Sequence, residues 1–353
     1  MKLLDLTRNG QPVTDVATVE AVSTYLMQTN PFSENTLFMA RNEPAVVIGK
    51  YQDAYVEVDL DYLRAHHIKL MRRAAGGGAV YTDLGNLVYM FHVVEPQDQH
   101  YWLDFKHYAK PLVTTLTDLG IDDVGVSGRN DVIIKGKKIS GMAAFQQKNR
   151  FSLGGTVLFD VDTETAGKVL TPLRSKYASK GLSSVGSRIM DIKQALPATK
   201  KALQAQDFID RWLKTIFNVS TVTAIPTVQL SDTDWAAIDQ LVADRYGNDD
   251  WNYGSRAHFD RYVSHHFKRG TVAFNYDVAD GQLAHFTVYG DFFTGVQDIS
   301  SKEAGLIGTK MESEALKEAF ENSGFGMVIP WLLPADFAAM LLNPEKYDVV
   351  EKR

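Results

Sequence analysis

At 353 residues, with 45% hydrophobic and 23% charged positions, the chain has the make-up of an ordinary globular protein and is long for one domain, so two are expected. The formal net charge of −6 argues against a dedicated nucleic-acid binder, and the lack of cysteine removes disulfides, thiolate metal sites and a cysteine nucleophile together. Asp5 and Arg8 break the N-terminal apolar run too early for a signal peptide, and Pro330, Pro334 and Asp336 interrupt the longest apolar stretch; no membrane span and a cytoplasmic location are expected.

In chain order, residues 14–29 read as a helix with Thr14 as candidate N-cap and Val16, Val19, Val22 and Leu26 on one face. Strands are expected at 36–41 and 45–49, around a turn at 42–44, and Asp59 caps a short helix to Ala65. A strand at 68–71 leads into a triple glycine, and the apolar run 87–94 follows. A helix at about 104–119 ends at Gly120. Val132–Ile134, the turn at Gly136 and a return arm from Lys138 make a hairpin with a basic tip. Another strand covers 150–159, where Gly154 and Gly155 let something approach the backbone. Helices follow at 162–170, 205–217 and 232–245. Residues 246–254 are turn-rich and mark a boundary, giving a catalytic domain at 1–248 and an accessory domain at 249–353. The second domain carries a hairpin through Asp280-Gly281 and helices at 312–322 and 335–342.

Several familiar chemistries fail on spacing. A P-loop needs a glycine where Asp131 stands, the Gly125–Arg129 stretch misses the last glycine of a nucleophile elbow, and no H-E-x-x-H occurs. His66-His67 and His265-His266 are adjacent pairs whose side chains diverge, and Arg64, Arg188 and Lys193 read as solvated surface cations. What remains is RRAAGGGAVYTDLGN over 72–86, an Asn130-Asp131 pair on a strand, Lys138 on the return arm and a second Gly-Gly. Bare glycine backbone turns its N–H groups toward phosphate or carboxylate, and arginine grips such anions in a fork. A flexible turn flanked by two solvated arginines accounts for the glycines equally well. With no acid–base triad, the set suits a reaction whose substrates carry their own nucleophiles. Activation of a carboxylate by ATP is one, and it needs a lysine shared between two anions.

The motifs RRAAGGGAVYTDLGN, GRNDVII and KKISGMA, in this order and spacing, resemble those of the lipoate–protein ligase A family. The resemblance extends over nearly the whole chain, through RNEPAVVIGKYQD at 41–53 and WNYG at 251–254. It implies an α/β (α+β) fold: a biotin-ligase-like mixed-sheet catalytic domain followed by a small, mobile α+β accessory domain. It implies ATP-dependent transfer of lipoate, through lipoyl-AMP, to a lysine of apo lipoyl domains in 2-oxoacid dehydrogenase acyltransferase subunits or of the glycine cleavage H protein. No nucleic-acid or membrane partner is implied, and a monomer is expected.

By motif match, Arg73, Gly76, Gly77, Gly78, Ala79, Val80, Tyr81, Asn86, Asn130, Asp131, Gly155 and Thr156 are expected to bind ATP or lipoyl-AMP. Arg72, Gly77, Lys138 and Gly141 are expected at lipoate, Lys138 bridges its carboxylate and the α-phosphate, and Asp131 is the expected magnesium ligand. The chain departs from the family at Leu153-Gly154-Gly155, where many members have His-His-Gly, at Ala74-Ala75, where serines are frequent, and at Asp53, where asparagine is frequent. Competing readings are a transferase taking preformed lipoyl-adenylate and a non-catalytic carrier-binding protein. Acyl transfer through a cysteine thioester lacks its cysteine, and biotin ligation lacks its G-R-G-R-x-G loop.

Overall fold

The apolar run after the glycine loop becomes strand Asn86–Val94, fourth in an eight-stranded mixed sheet. From one edge the order is Thr227–Val228, Lys2–Leu4, Thr36–Ala40, Asn86–Val94, Arg150–Leu158, Lys137–Gln147, Asp131–Ile134 and Val124–Ser127. The first three run parallel and every later pairing is antiparallel. Both faces of the central strand are buried, as its lack of polar alternation requires. Leu87, Tyr89 and Phe91 pack under helices Phe105–Asp118 and Ala205–Phe217, with the Tyr89 ring edge-on to Trp212 at 4.8 Å. Val88 faces the other way, onto helices Val16–Thr29 and Asp232–Leu241. The computed structural model describes residues 1–94, 103–128, 130–171, 188–254, 260–296 and 298–349; Arg129 of the GRNDVII motif lies outside them.

The first helix is capped one residue later than expected: Asp15, not Thr14, accepts from the Thr18 amide at 3.0 Å, because its carboxylate is the stronger acceptor. The two strands expected around residues 42–44 do not pair with each other. Thr36–Ala40 joins the large sheet, whereas Ala45–Ile48 is the centre of a second sheet, parallel to Lys69–Arg72 and antiparallel to Val80–Thr82. Residues 246–254 are more regular than their composition suggests, with a wide helical turn at Val242–Tyr246 and a helix at Asp249–Tyr253. The division expected at residue 248 assigns that helix to the accessory domain, yet its contacts are with the catalytic one. The Asn252 side chain accepts from the Arg72 amide at 3.0 Å, and Trp251 Nε1 donates to the Arg72 carbonyl at 2.8 Å.

The C-terminal part is a four-stranded sheet, ordered Gln282–Gly290, Gly270–Ala279, Arg261–Phe267 and Asp348–Val349. Asp280 and Gly281 turn its hairpin with φ of 51° and 75°, the left-handed pair that this dipeptide favours. Helices Ser313–Asn322 and Pro334–Leu342 cover the sheet, with Phe274, Phe286, Phe325 and Phe337 forming an aromatic core. No helix among the described residues is long and apolar enough to cross a membrane.

One buried group sets an acid limit on stability. His92, stacked on Phe38, has neither ring nitrogen hydrogen-bonded, and burial pushes its pKa down to about 3. Unfolded, the ring takes up a proton below about 6.5; folded, it stays neutral until about pH 3. Its contribution is therefore complete above pH 6.5 and declines as pH falls through that window. At pH 5 the loss amounts to about 2 kcal/mol, at 1.36 kcal/mol per pH unit. His92→Phe should lose less stability between pH 7 and pH 5 than the parent in denaturant titrations; parallel curves would refute this.

Candidate functional site

Strand Lys69–Arg72 delivers the chain to the triple glycine, and Val80–Thr82 carries it away. Between them the backbone turns on Gly77, whose φ of +94° suits glycine. Arg73 folds back over the loop it precedes. Its guanidinium donates to the Gly76 carbonyl at 2.7 Å, the Gly78 carbonyl at 2.9 Å and the Val47 carbonyl at 3.3 Å. Lys50 N donates to the Ala75 carbonyl at 2.9 Å. The carbonyls of Ala75, Gly76 and Gly78 are thus satisfied. The amides of Gly76, Gly77 and Gly78 donate to no group among the described residues. Unpaired backbone donors beside a cavity are an anion cradle in need of an anion.

That cavity has a volume of about 680 Å³, and Gly77, Gly78, Ala79, Val80 and Tyr81 form one wall. Asn130, Asp131, Lys138, Gly141, Gly155 and Thr156 line the same cavity. The Asp131–Ile134 and Lys137–Gln147 arms pair with a register shift that sets Lys138 opposite Ile133. Lys138 Nζ lies 2.7 Å from Asp131 Oδ1, and Arg188 holds the other carboxylate oxygen at 2.9 Å. Burial raises the pKa of Asp131, but the two cations and their hydrogen bonds outweigh it, and the group is held below the usual carboxylate range. Asn130 fastens the hairpin: its side chain donates to the Met142 carbonyl at 2.5 Å, and its own carbonyl accepts from Met142 N at 2.9 Å.

Some expected residues stand elsewhere or act differently. Arg72, expected at lipoate, does not line the cavity; its buried guanidinium is spent on the carbonyls of Gly49, Lys50, Gln52, Trp251 and Tyr253. Asn86, expected at the nucleotide, is buried behind the wall and donates to the Tyr81 carbonyl at 3.1 Å. Gly76 also stands outside the lining. At Gly141 a side chain would overlap Lys138 Nζ, so this glycine makes room for the ammonium group. At Gly155 a Cβ would strike the Gly141 carbonyl, and at Gly154 the Tyr89 carbonyl; what approaches those glycines is a neighbouring strand. Asp131 does not fit a magnesium ligand as arranged, because both oxygens already face cations. No cluster of three metal-ligating side chains exists among the described residues.

Other site residues carried no sequence signal. Arg188, read as a solvated cation, is brought over Asp131 because Ile189 bridges to Lys138 and Met190 N donates to the Lys138 carbonyl at 3.0 Å. Glu20 projects from the first helix toward Arg73; burial lifts its carboxyl to about 7, partly offset by that arginine. Burial likewise lowers Arg73, to about 10, against the opposing pull of Glu20 and Asp291.

Asp291 comes from the C-terminal domain, which closes over the cavity. Tyr51 stacks on Phe292 at 4.9 Å, Gly290 N donates to the Tyr51 carbonyl at 2.9 Å, and Phe293 packs on Phe105 at 5.9 Å. A Cβ on Gly76 would collide with the Phe292 carbonyl. Gly76→Ala should therefore part the two domains, read as a larger radius of gyration in small-angle scattering with helix content unchanged. An unaltered radius would show that the joint accommodates a methyl group.

Two family descriptions match the chain: the lipoyl protein ligase A/B catalytic domain over residues 15–217, and the bacterial lipoate protein ligase C-terminus over residues 256–341. The lipoate–protein ligase of Streptococcus pyogenes is 37% identical over 316 residues, covering 89% of this chain and 91% of the relative. Among solved structures, LipL1 of P. falciparum in complex with lipoate superposes with a TM-score of 0.70 at 20% identity, over 88% of this chain and 92% of that one. A lipoate–protein ligase A bound with ATP gives a TM-score of 0.56 at 22% identity, over 72% and 98%. With both of its domains matched and a glycine loop and an ion-paired lysine lining one cavity, this chain belongs to the lipoate–protein ligase family.

Proposed function

We propose that this protein is an ATP-dependent lipoate–protein ligase, and that Lys138, which lines the same cavity as Gly77 and Gly78, carries the activation step. In that step a carboxylate oxygen of lipoate attacks the α-phosphorus of ATP. The bond from that phosphorus to the bridging oxygen breaks, and pyrophosphate leaves with the electron pair. The product is the mixed anhydride lipoyl-AMP. A lysine amine of the acceptor then attacks the acyl carbon and AMP departs. No protein nucleophile is required, in keeping with a cavity whose charged groups are cations, carboxylates and backbone donors. Lys138 is free to leave Asp131 for the two substrate anions, while Arg188 keeps Asp131 neutralised. Gly77 and Gly78 offer amides to phosphate oxygens, and Tyr81, Asn130 and Thr156 complete the walls. Arg73 acts by holding the loop in shape. Any magnesium would enter on the triphosphate, and no step is assigned to it.

Support comes from relatives named as ligases and from the lipoate and ATP bound by the two solved neighbours. The acceptors we propose are apo lipoyl domains of acyltransferase subunits or the glycine cleavage H protein, met by a monomer in the cytoplasm. We also propose that the accessory domain moves as a body. Adenylation favours a site closed to water, and transfer needs it open to a carrier lysine. Because the 249–253 helix is tied to Arg72, the movable part begins after it. Incubation with lipoate, ATP and an apo lipoyl domain should release pyrophosphate and lipoylate the acceptor. Lipoylation from supplied lipoyl-AMP but not from ATP would favour the transferase reading instead.

A further inference from the structure

The cations around the cavity are not equivalent. Arg73 is committed to three backbone carbonyls, and Lys138 and Arg188 to Asp131. Two others line the same cavity, Lys268 and Arg269, at the turn between strands Arg261–Phe267 and Gly270–Ala279 of the C-terminal domain. Both are exposed, and neither makes an ion pair or hydrogen bond within the described structure.

The turn that carries them is held rigidly. The Asp291 carboxylate accepts from Thr271 N at 2.5 Å, Asp291 N donates to the Thr271 carbonyl at 3.2 Å, and His266 Nδ1 is hydrogen-bonded to Thr271 Oγ1 at 2.9 Å. Asp291 adjoins Phe292 and Phe293, the two rings that dock this domain on the catalytic one. The same short segment therefore fixes the turn and seats it at the cavity.

ATP brings more negative charge than one lysine and the Gly77 and Gly78 amides offset, and most of it lies beyond the α-phosphate. From this arrangement we infer that Lys268 and Arg269 bind the β- and γ-phosphates of ATP and the pyrophosphate formed from them. The inference rests on the ligase reading above. The accessory domain is then part of the nucleotide site: it contacts the triphosphate during activation and withdraws with the leaving group. An acidic patch on a carrier protein is the other anion such a turn could hold, and a rise in the KM for the acceptor domain alone would reveal it.

The test uses the full-length protein with Lys268→Ala/Arg269→Ala and with the charge-keeping Lys268→Arg/Arg269→Lys. Two lost charge-assisted phosphate contacts should raise the KM for ATP in pyrophosphate release by about tenfold or more. Inhibition by added pyrophosphate should weaken in parallel, and the charge-keeping pair should restore both to within about threefold. Transfer from supplied lipoyl-AMP, which carries only the α-phosphate, should change far less. An unaltered KM for ATP, or a rise confined to the KM for the acceptor domain, would overturn the assignment. If the parent protein releases no pyrophosphate from ATP, the ligase reading itself fails, which the variants do not confuse with failure of this inference.

Discussion

Lys138→Ala should lose pyrophosphate release by roughly a thousandfold. Two unit charges about 4 Å apart interact by roughly 4 kcal/mol at an effective dielectric of about 20. Every ~1.4 kcal/mol of uncompensated barrier is tenfold in rate. The lysine is the cavity cation able to release its protein partner, since Asp131 retains Arg188. For the same reason the variant should remain folded, with a thermal transition close to that of the parent. Lys138→Arg should not rescue it: the ammonium occupies the space that Gly141 leaves open, and a guanidinium is bulkier. Near-normal activity in a folded Lys138→Ala protein would end the assignment.

Arg72→Met should cost stability instead of chemistry, by about 3–5 kcal/mol in denaturant titrations. Removing the guanidinium takes a donor from the carbonyls of Gly49, Lys50, Gln52, Trp251 and Tyr253, those of Gly49 and Gln52 fully buried and the others partly so, and among the described residues Gly49 alone keeps another, the Gln52 amide. Arg72→Lys should recover only part of the loss, because an ammonium has three donors and cannot span carbonyls from two segments. A marginal effect of Arg72→Met, with raised KM for lipoate, would return this arginine to the ligand-binding role that its motif suggested.

Those two residues mark what the sequence could and could not convey. Lys138 was singled out by its match to the family motif, and its place on the return arm was legible because glycine at position 136 turns the chain there. The hairpin turns at Asp280-Gly281 and at Gly136, the latter with φ of +75°, were legible for the same local reason: glycine declares its backbone conformation. Arg72 stands outside the cavity lining, a placement the sequence could not convey because an arginine beside a glycine loop looks the same whether it holds a ligand or five carbonyls. Gly141 and Gly155 also have a purpose set by a neighbour, a lysine three residues back on the same strand in one case and a carbonyl of the adjacent strand in the other. Arg188, Lys268 and Arg269 enter the cavity through tertiary placement alone, by a bridge to Lys138 and by the docking of a second domain. Nothing in the residues flanking them announces it.

The tie between Arg72 and the 249–253 helix has a kinetic corollary. It pins the end of the catalytic body beside the glycine loop, with Gly254 close against the Arg72 guanidinium. In the movement proposed above, the second domain would swing from a pivot next to the site, with five residues of sequence between Gly254 and Asp260. A short tether keeps what it carries at an effective concentration of about millimolar. Reclosure is then an intramolecular event that a crowd of waiting carrier domains would not outcompete for long. Severing the chain after Gly254 and supplying the two parts separately would turn it into an ordinary bimolecular encounter. Activation would then depend on the amount of small domain added, up to roughly that same millimolar range.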